Sequence, residues 1–284
     1  MIYYGMITLS VMMFSMQFFF NQLFEKSYGN GAKAVFVFSA GGGISGLITL
    51  FLINGLSWEY THFSMLMAIW TAVNGMLFTF CSLKAFGKIN LSLYSLFSML
   101  GGMALPFVSG ILFHHEGLTL GKCLCFVIIT IALCLTVEKG EKTSGTLYYI
   151  GIFVLNGMAG VISKIFQAAP FEKTSAAGYS VLTAMVSILI SLVMLWFYRS
   201  DKKKLNKTAI FSMLGHGILN RVANLLLLIA LGFLPASAQY PFVTGGVMIC
   251  STVISCFTPN KPRKKEIGAV ILSFIGILAL ILLP

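Results

Sequence analysis

Acidic residues are scarce in this chain. Its 284 residues include eight Asp and Glu against nineteen Lys and Arg, and charged residues of both signs make up only 10%. A soluble domain carries about a quarter of its residues charged, so this composition argues against any sizeable soluble domain. All eight acids (Glu25, Glu59, Glu116, Glu138, Glu141, Glu172, Asp201 and Glu266) fall in connectors or at the ends of apolar runs. Histidine is sparse too, at four residues. Adjacent His114 and His115 with Glu116 sit in an exposed connector, where they do not converge on one ion, and nothing completes a metal shell. The six cysteines lie mostly inside apolar runs. Cys123 and Cys125, two apart on a helix, point different ways and suit neither zinc nor a disulfide, so they read as apolar filler. No metal, no cofactor and no converging nucleophile or acid set is expected, and an enzyme is not the reading.

Apolar residues dominate instead, at 58% of the chain with a mean hydropathy of +0.92. A helix crossing a bilayer needs about 20 apolar residues. The sequence divides into ten such spans, near 2–23, 34–53, 62–83, 90–113, 118–137, 146–167, 177–198, 208–233, 237–258 and 266–283. The expected class is therefore an all-α integral membrane protein with ten transmembrane helices, in contact with membrane lipid. The net charge of +11 does not point to nucleic acid, because the basic residues sit in short connectors beside apolar spans. No basic stretch precedes the first apolar run and no small-residue cleavage site follows it, so the first span reads as retained.

The two halves of the chain resemble each other. Ile2-Tyr3-Tyr4 returns as Leu147-Tyr148-Tyr149, and Phe24-Glu25-Lys26-Ser27 as Phe171-Glu172-Lys173-Thr174. A polar joint, 138–145, separates two units, 1–140 and 146–284, each of five spans. An odd number of spans makes the second unit enter the membrane from the opposite side, so the expected architecture is two inverted five-helix repeats. Lys and Arg crowd the connectors after the odd-numbered spans, against Lys122 and Lys173 alone on the other face. The positive-inside rule puts the crowded face in the cytoplasm and both termini outside a cell (plasma) membrane. Glycines cluster at Gly41-Gly42-Gly43 with Gly46, Gly101-Gly102, Gly157 with Gly160, and Gly245-Gly246, which suits closely packed helices.

Motifs at the ends of both halves resemble those of a known family. Glu116-Gly117-Leu118-Thr119 and Gly121 stand before the fifth span. Leu234-Pro235-Ala236-Ser237 opens the ninth, followed by Gln239-Tyr240-Pro241 and Gly245-Gly246, and Ile267-Gly268 with Gly276-Ile277 mark the tenth. Together these resemble the drug/metabolite transporter superfamily, in particular its ten-span EamA-type members. The resemblance implies an inverted-repeat bundle with a central cavity, alternating access, and both termini in the cytoplasm, opposite to the charge count. Thr258-Pro259-Asn260-Lys261 departs from the pattern, where a glutamate often stands.

A polar residue inside a span is costly unless it faces the bundle interior, water or a partner. Ser10, Gln17 and Asn21 share one helical arc in span one, and Asn156, Ser163 and Gln167 share one in span six. The two triplets correspond at a single offset, which also matches Asn74 with Asn220 and Tyr94 with Tyr240. In span eight, His216, Asn220, Arg221 and Asn224 form one arc. Arg221 lies near mid-span, where a charge costs about 2.5–3.5 kcal/mol to insert, and no acid lies deep in any span to neutralise it.

The expected substrate-binding set is Arg221 as electrostatic anchor with Asn220, Asn224, His216, Asn156, Lys164, Asn74, Gln17 and Gln239, plus Tyr240 and Trp70 as stacking surface. The competing reading for each amide is a tie between helices, worth about 0.6 kcal/mol. A guanidinium in the cavity suits a small-molecule substrate that is anionic or zwitterionic. The expected function is secondary transport of a small polar metabolite, with export favoured by family precedent, by a monomer or homodimer. The alternatives are a non-transporting membrane scaffold, or efflux of drugs and organic cations by the same fold. The proton-for-cation exchange of the small multidrug resistance relatives uses a glutamate inside the first helix, and no such residue is present here.

Overall fold

The computed structural model describes residues 2–29, 31–86, 91–135, 146–197, 204–256 and 264–283. The polar joint at 138–145, the basic connectors at 198–203 and 257–263, and the side chain of Tyr94 lie outside the described residues. Among the described residues there are ten helices and no strand: α1 (Ile2–Tyr28), α2 (Ala32–Ile53), α3 (His62–Phe86), α4 (Leu91–His114), α5 (Leu120–Leu135), α6 (Thr146–Ala168), α7 (Ala176–Phe197), α8 (Lys207–Leu231), α9 (Ala236–Cys256) and α10 (Lys264–Leu282). They stand where the ten spans were expected.

Local chemistry sets several of the ends. Gly29 (φ 109°) closes α1, its N–H reaching Glu25 O, and Gly55 (φ 63°) turns the chain out of α2; L side chains rarely adopt either φ. Asn206 opens α8 by accepting from the Ala209 N–H at 2.7 Å, the usual work of an N-cap amide. Seven of the described helices (α1, α2, α4, α6, α7, α8 and α10) are long and apolar enough to cross a membrane. In α3 and α5 the apolar runs are shorter, His62–Phe78 and Leu120–Leu135. α9 carries Ser237, Gln239, Thr244, Ser251 and Thr252 among its 21 residues, which lowers its hydropathy.

The two halves interleave. α1 packs on α8 and α9, α6 on α3 and α4, α2 on α7 and α8, α7 on α2 and α3, and α5 on α10. Exchanging every helix with the one five places along leaves that set of partners unchanged. Glycine permits the tightest crossings. A Cβ on Gly217 of α8 would lie 2.0 Å from Gly42 O of α2, and one on Gly101 of α4 would lie 2.1 Å from Phe153 O of α6.

Apolar clusters then weld the layers together. Met103, Cys125, Ile129, Leu133 and Met248 join α4, α5 and α9, while Met67, Ile162, Phe166, Tyr179, Leu182 and Leu228 join α3, α6, α7 and α8. All six cysteines are free and Cys125 is fully buried.

Candidate substrate cavity

The bundle has two distinct ends. At one, Phe24, Tyr28, Ala34, Ala209 and Met213 bring the end of α1, the start of α2 and the start of α8 together. At the other, polar side chains tie connectors to helix starts. Ser64 Oγ accepts from the Thr174 N–H at 2.9 Å. The Glu59 carboxylate accepts from Ser175 N and Ser175 Oγ at 2.6 and 2.7 Å, just before α7. Glu116 does the same for α9, accepting from Ala236 N and Ser237 N at 2.8 Å and from Ser237 Oγ at 2.7 Å. Carboxylates at helix N-termini satisfy otherwise unpaired N–H groups and complement the helix dipole.

Glu116 has a further partner, Lys164 of α6, at 2.8 Å, with the two side chains only 7% and 13% exposed. Gly110 makes room for this carboxylate, since a Cβ there would lie 2.5 Å from Glu116 Oε2. Two of the motif segments quoted from opposite halves, one bearing Glu116 and the other Ser237, therefore meet in space. Lys173 and Lys122, the two basic residues expected alone on this face, donate to backbone carbonyls, Lys173 to Phe166, Gln167 and Ala169 at the end of α6, and Lys122 to Gly117.

Burial alone would raise the Glu116 carboxyl pKa. Hydrogen bonds from Lys164, Ser237 and the Ala236 N–H outweigh it and hold the group below its ordinary value. Desolvation likewise works against Glu59 and is outweighed by Ser175 and Asn54. Both pKa values are depressed on folding, so their stabilisation is present above the ordinary glutamate value of about 4.3 and is lost as the pH falls through the lowered folded values. Thermal unfolding followed from pH 7 downward should show that loss. Glu116→Gln should flatten the acid limb and cost about 3 kcal/mol at pH 7, because it leaves the buried Lys164 unpaired. An unchanged pH profile in the variant would contradict this assignment.

Between the two ends lies a cavity of about 560 Å³, within the size range of small-molecule sites. Its walls come from α2, α3, α6, α7 and α8. Arg221, Asn220, Asn224 and His216 of α8 line it together with Asn74 of α3, so five of the eleven expected residues converge. Gly46 of α2 gives Arg221 its place: a Cβ there would lie 2.3 Å from Arg221 Cγ. Among the described residues no hydrogen bond or ion pair holds the Arg221 guanidinium. The His216 ring packs on Phe38 with centroids 4.5 Å apart, and its Nδ1 is buried without a partner.

The other six expected residues lie outside the cavity lining. Asn156 donates to Ser98 O of α4 at 2.6 Å, Gln239 to Leu227 O of α8 at 3.0 Å, and Tyr240 to Gly160 O of α6 at 3.2 Å. Gln17 of α1 holds Asn220 Nδ2 at 2.9 Å and so buttresses the α8 arc from behind. Lys164 is bound to Glu116, and Trp70 is 43% exposed on the outside of α3. Buried amides need partners, and an adjacent helix carbonyl supplies one at closer range than a cavity does.

Sequence reasoning missed the wall that α7 contributes. Ser180, Thr183, Ser187 and Ser191 recur every three or four residues along it and all line the cavity, as do Thr71 and Tyr179, whose hydroxyls lie 2.6 Å apart. The signal was present as a helical stripe of hydroxyls in a strongly apolar span, but hydroxyls are cheap to insert and drew less notice than amides and charges.

No family model matches the chain, and no curated protein matches it in sequence. Among solved structures, a chain described only as "Crystal structure of protein" is similar to it with a TM-score of 0.81, covering 98% of this chain and 95% of that one at 12% sequence identity. At that identity the likeness is one of fold, and it extends over nearly the whole length of both chains.

Proposed function

We propose that this chain is a secondary membrane transporter of a small polar metabolite carrying a carboxylate or phosphate. It works by alternating access around the central cavity between two inverted five-helix repeats of the drug/metabolite transporter type. The observation that carries the reading is Arg221: a guanidinium with no protein partner among the described residues, lining a cavity shared by helices of both halves. An uncompensated cation is costly inside a membrane protein and marks a substrate or ion path. The exchange of helix partners between the halves supports an inverted repeat. Large exposed apolar side chains such as Leu66, Phe113, Leu189 and Phe211 suit a lipid-facing exterior.

On this reading the Glu59 and Glu116 ties are the contacts that close one end. Releasing them, with Lys164, is the step that would open that end. Among the described residues no acid lines the cavity, which disfavours the organic-cation alternative.

Solute flux in sealed proteoliposomes tests the reading. Saturable counterflow of at least one phosphorylated or carboxylated metabolite is the expected result. A folded protein that moves none of a panel spanning amino acids, nucleosides, phosphorylated metabolites and organic cations would favour a membrane scaffold.

A further inference from the structure

The polar groups around the cavity are unevenly directed. The hydroxyls of Ser163, Ser180, Ser187 and Ser191 all donate to carbonyls on their own helices, those of Ala159, Ala176, Thr183 and Ser187, at 2.7 to 2.9 Å. A serine hydroxyl has one hydrogen and two lone pairs, so these oxygens have only acceptor capacity left for the cavity. Each amide nitrogen has also committed at least one of its two hydrogens. Asn74 Nδ2 donates to Leu155 O, Asn220 Nδ2 to Gln17 Oε1, and Asn224 Nδ2 to Asn220 O. Asn74 is only 6% exposed, yet its Oδ1 accepts no hydrogen bond among the described residues, and neither does Asn224 Oδ1. Against these acceptors stands one permanent cation, Arg221, whose five N–H groups are free of protein partners.

We infer that the cavity selects a dipolar arrangement: one anionic group on Arg221, and hydrogen-bond donors (ammonium or hydroxyl) at the far end of the ligand, received by the α7 serine hydroxyls and the Asn74 carbonyl oxygen. This rests on the transport reading and narrows its substrate class. A ligand whose far end offers only acceptors or methyl groups leaves those oxygens unpaired, and desolvating an unpaired acceptor carries the full penalty. Discrimination of this kind is steep, because a site built to pair a donor rejects the analogue that lacks it.

Two matched pairs test the inference in proteoliposomes, by competition against counterflow of whichever metabolite is transported. Glycerol 3-phosphate and propyl phosphate carry the same charge but differ in two hydroxyl donors. 4-Aminobutyrate and pentanoate share a carboxylate and a chain length but differ in the terminal ammonium, and simple charge attraction to Arg221 favours the second. The donor-bearing member of at least one pair should inhibit about tenfold more tightly. The double variant Ser187→Ala/Ser191→Ala should bring that ratio toward one, weakening the donor-bearing member and relieving the unpaired-acceptor penalty on the donor-free one. Equal inhibition within both pairs, or tighter binding of the donor-free members, would overturn the inference, and so would an intact ratio in the double variant. If Arg221→Gln abolishes binding of all four compounds while the pairs do not discriminate, the dipolar arrangement falls and the Arg221 anchor stands. If nothing is transported and nothing binds, both fall together.

Discussion

Gly217→Ala is expected to lower the thermal stability of the detergent-purified protein sharply, by an amount corresponding to about 3 kcal/mol, the upper end of overpacking penalties. The new Cβ would lie 2.0 Å from Gly42 O and 2.4 Å from Ser45 Oγ. The first of these is backbone, which cannot rotate away as a side chain can. α2 and α8 would have to move apart along the crossing that also holds the Ser45 Oγ bond to Leu214 O at 3.1 Å. Because Gly46 adjoins both Gly217 O and the Arg221 stem, separating these helices also shifts the guanidinium, so substrate binding should fall with stability.

Gly268→Ala in α10 is the matched control. No atom lies within 4 Å of a Cβ placed there, so the substitution should be neutral or stabilise by up to about 1 kcal/mol through helix propensity. Thermal unfolding of both variants reads the contrast. A Gly217→Ala protein as stable as its parent would mean that the helices do not approach this closely.

The helix order could be read from the sequence because bilayer-length apolar runs interrupted by Lys, Gly and Pro leave little choice of boundary. Asn206 and Gly55 mark their helix ends by ordinary capping chemistry. The α8 arc was also legible, since a mid-span Arg with Asn and His three to five residues away must share a face and a wet surface. What the sequence did not reveal was which neighbour a buried amide finds. Asn156 and Asn74 are both inward-facing asparagines, and both donate to a helix carbonyl. Only Asn74 also touches the cavity, a difference set by where α3, α4 and α6 cross. The partnership of Lys164 with Glu116 was hidden for a related reason. It joins residues 48 apart in sequence, in a connector and a helix that both contact the start of α9.

Arg221→Gln gives the second large effect, and it separates function from folding. A tie between helices, once cut, costs stability. Removing an unpaired guanidinium from the middle of a span relieves an insertion cost of about 2.5–3.5 kcal/mol, so the variant should unfold at the same temperature as the parent or higher. Transport should move the opposite way. A charge-assisted hydrogen bond to an anionic substrate contributes about 1.5–3 kcal/mol, which corresponds to a loss in kcat/KM of roughly tenfold to more than a hundredfold. Arg221→Lys keeps the charge but loses the planar fork and should fall between the two.

The measurement that bears most directly on the cavity is therefore the paired determination, on parent and Arg221→Gln protein, of saturable counterflow and of substrate-induced thermal stabilisation. Counterflow should fall at least about tenfold, and substrate-induced stabilisation should shrink with it, in a variant whose ligand-free stability is undiminished. Flux and stabilisation that the substitution leaves unchanged, or a variant that fails to fold, would contradict the assignment of this guanidinium to the substrate.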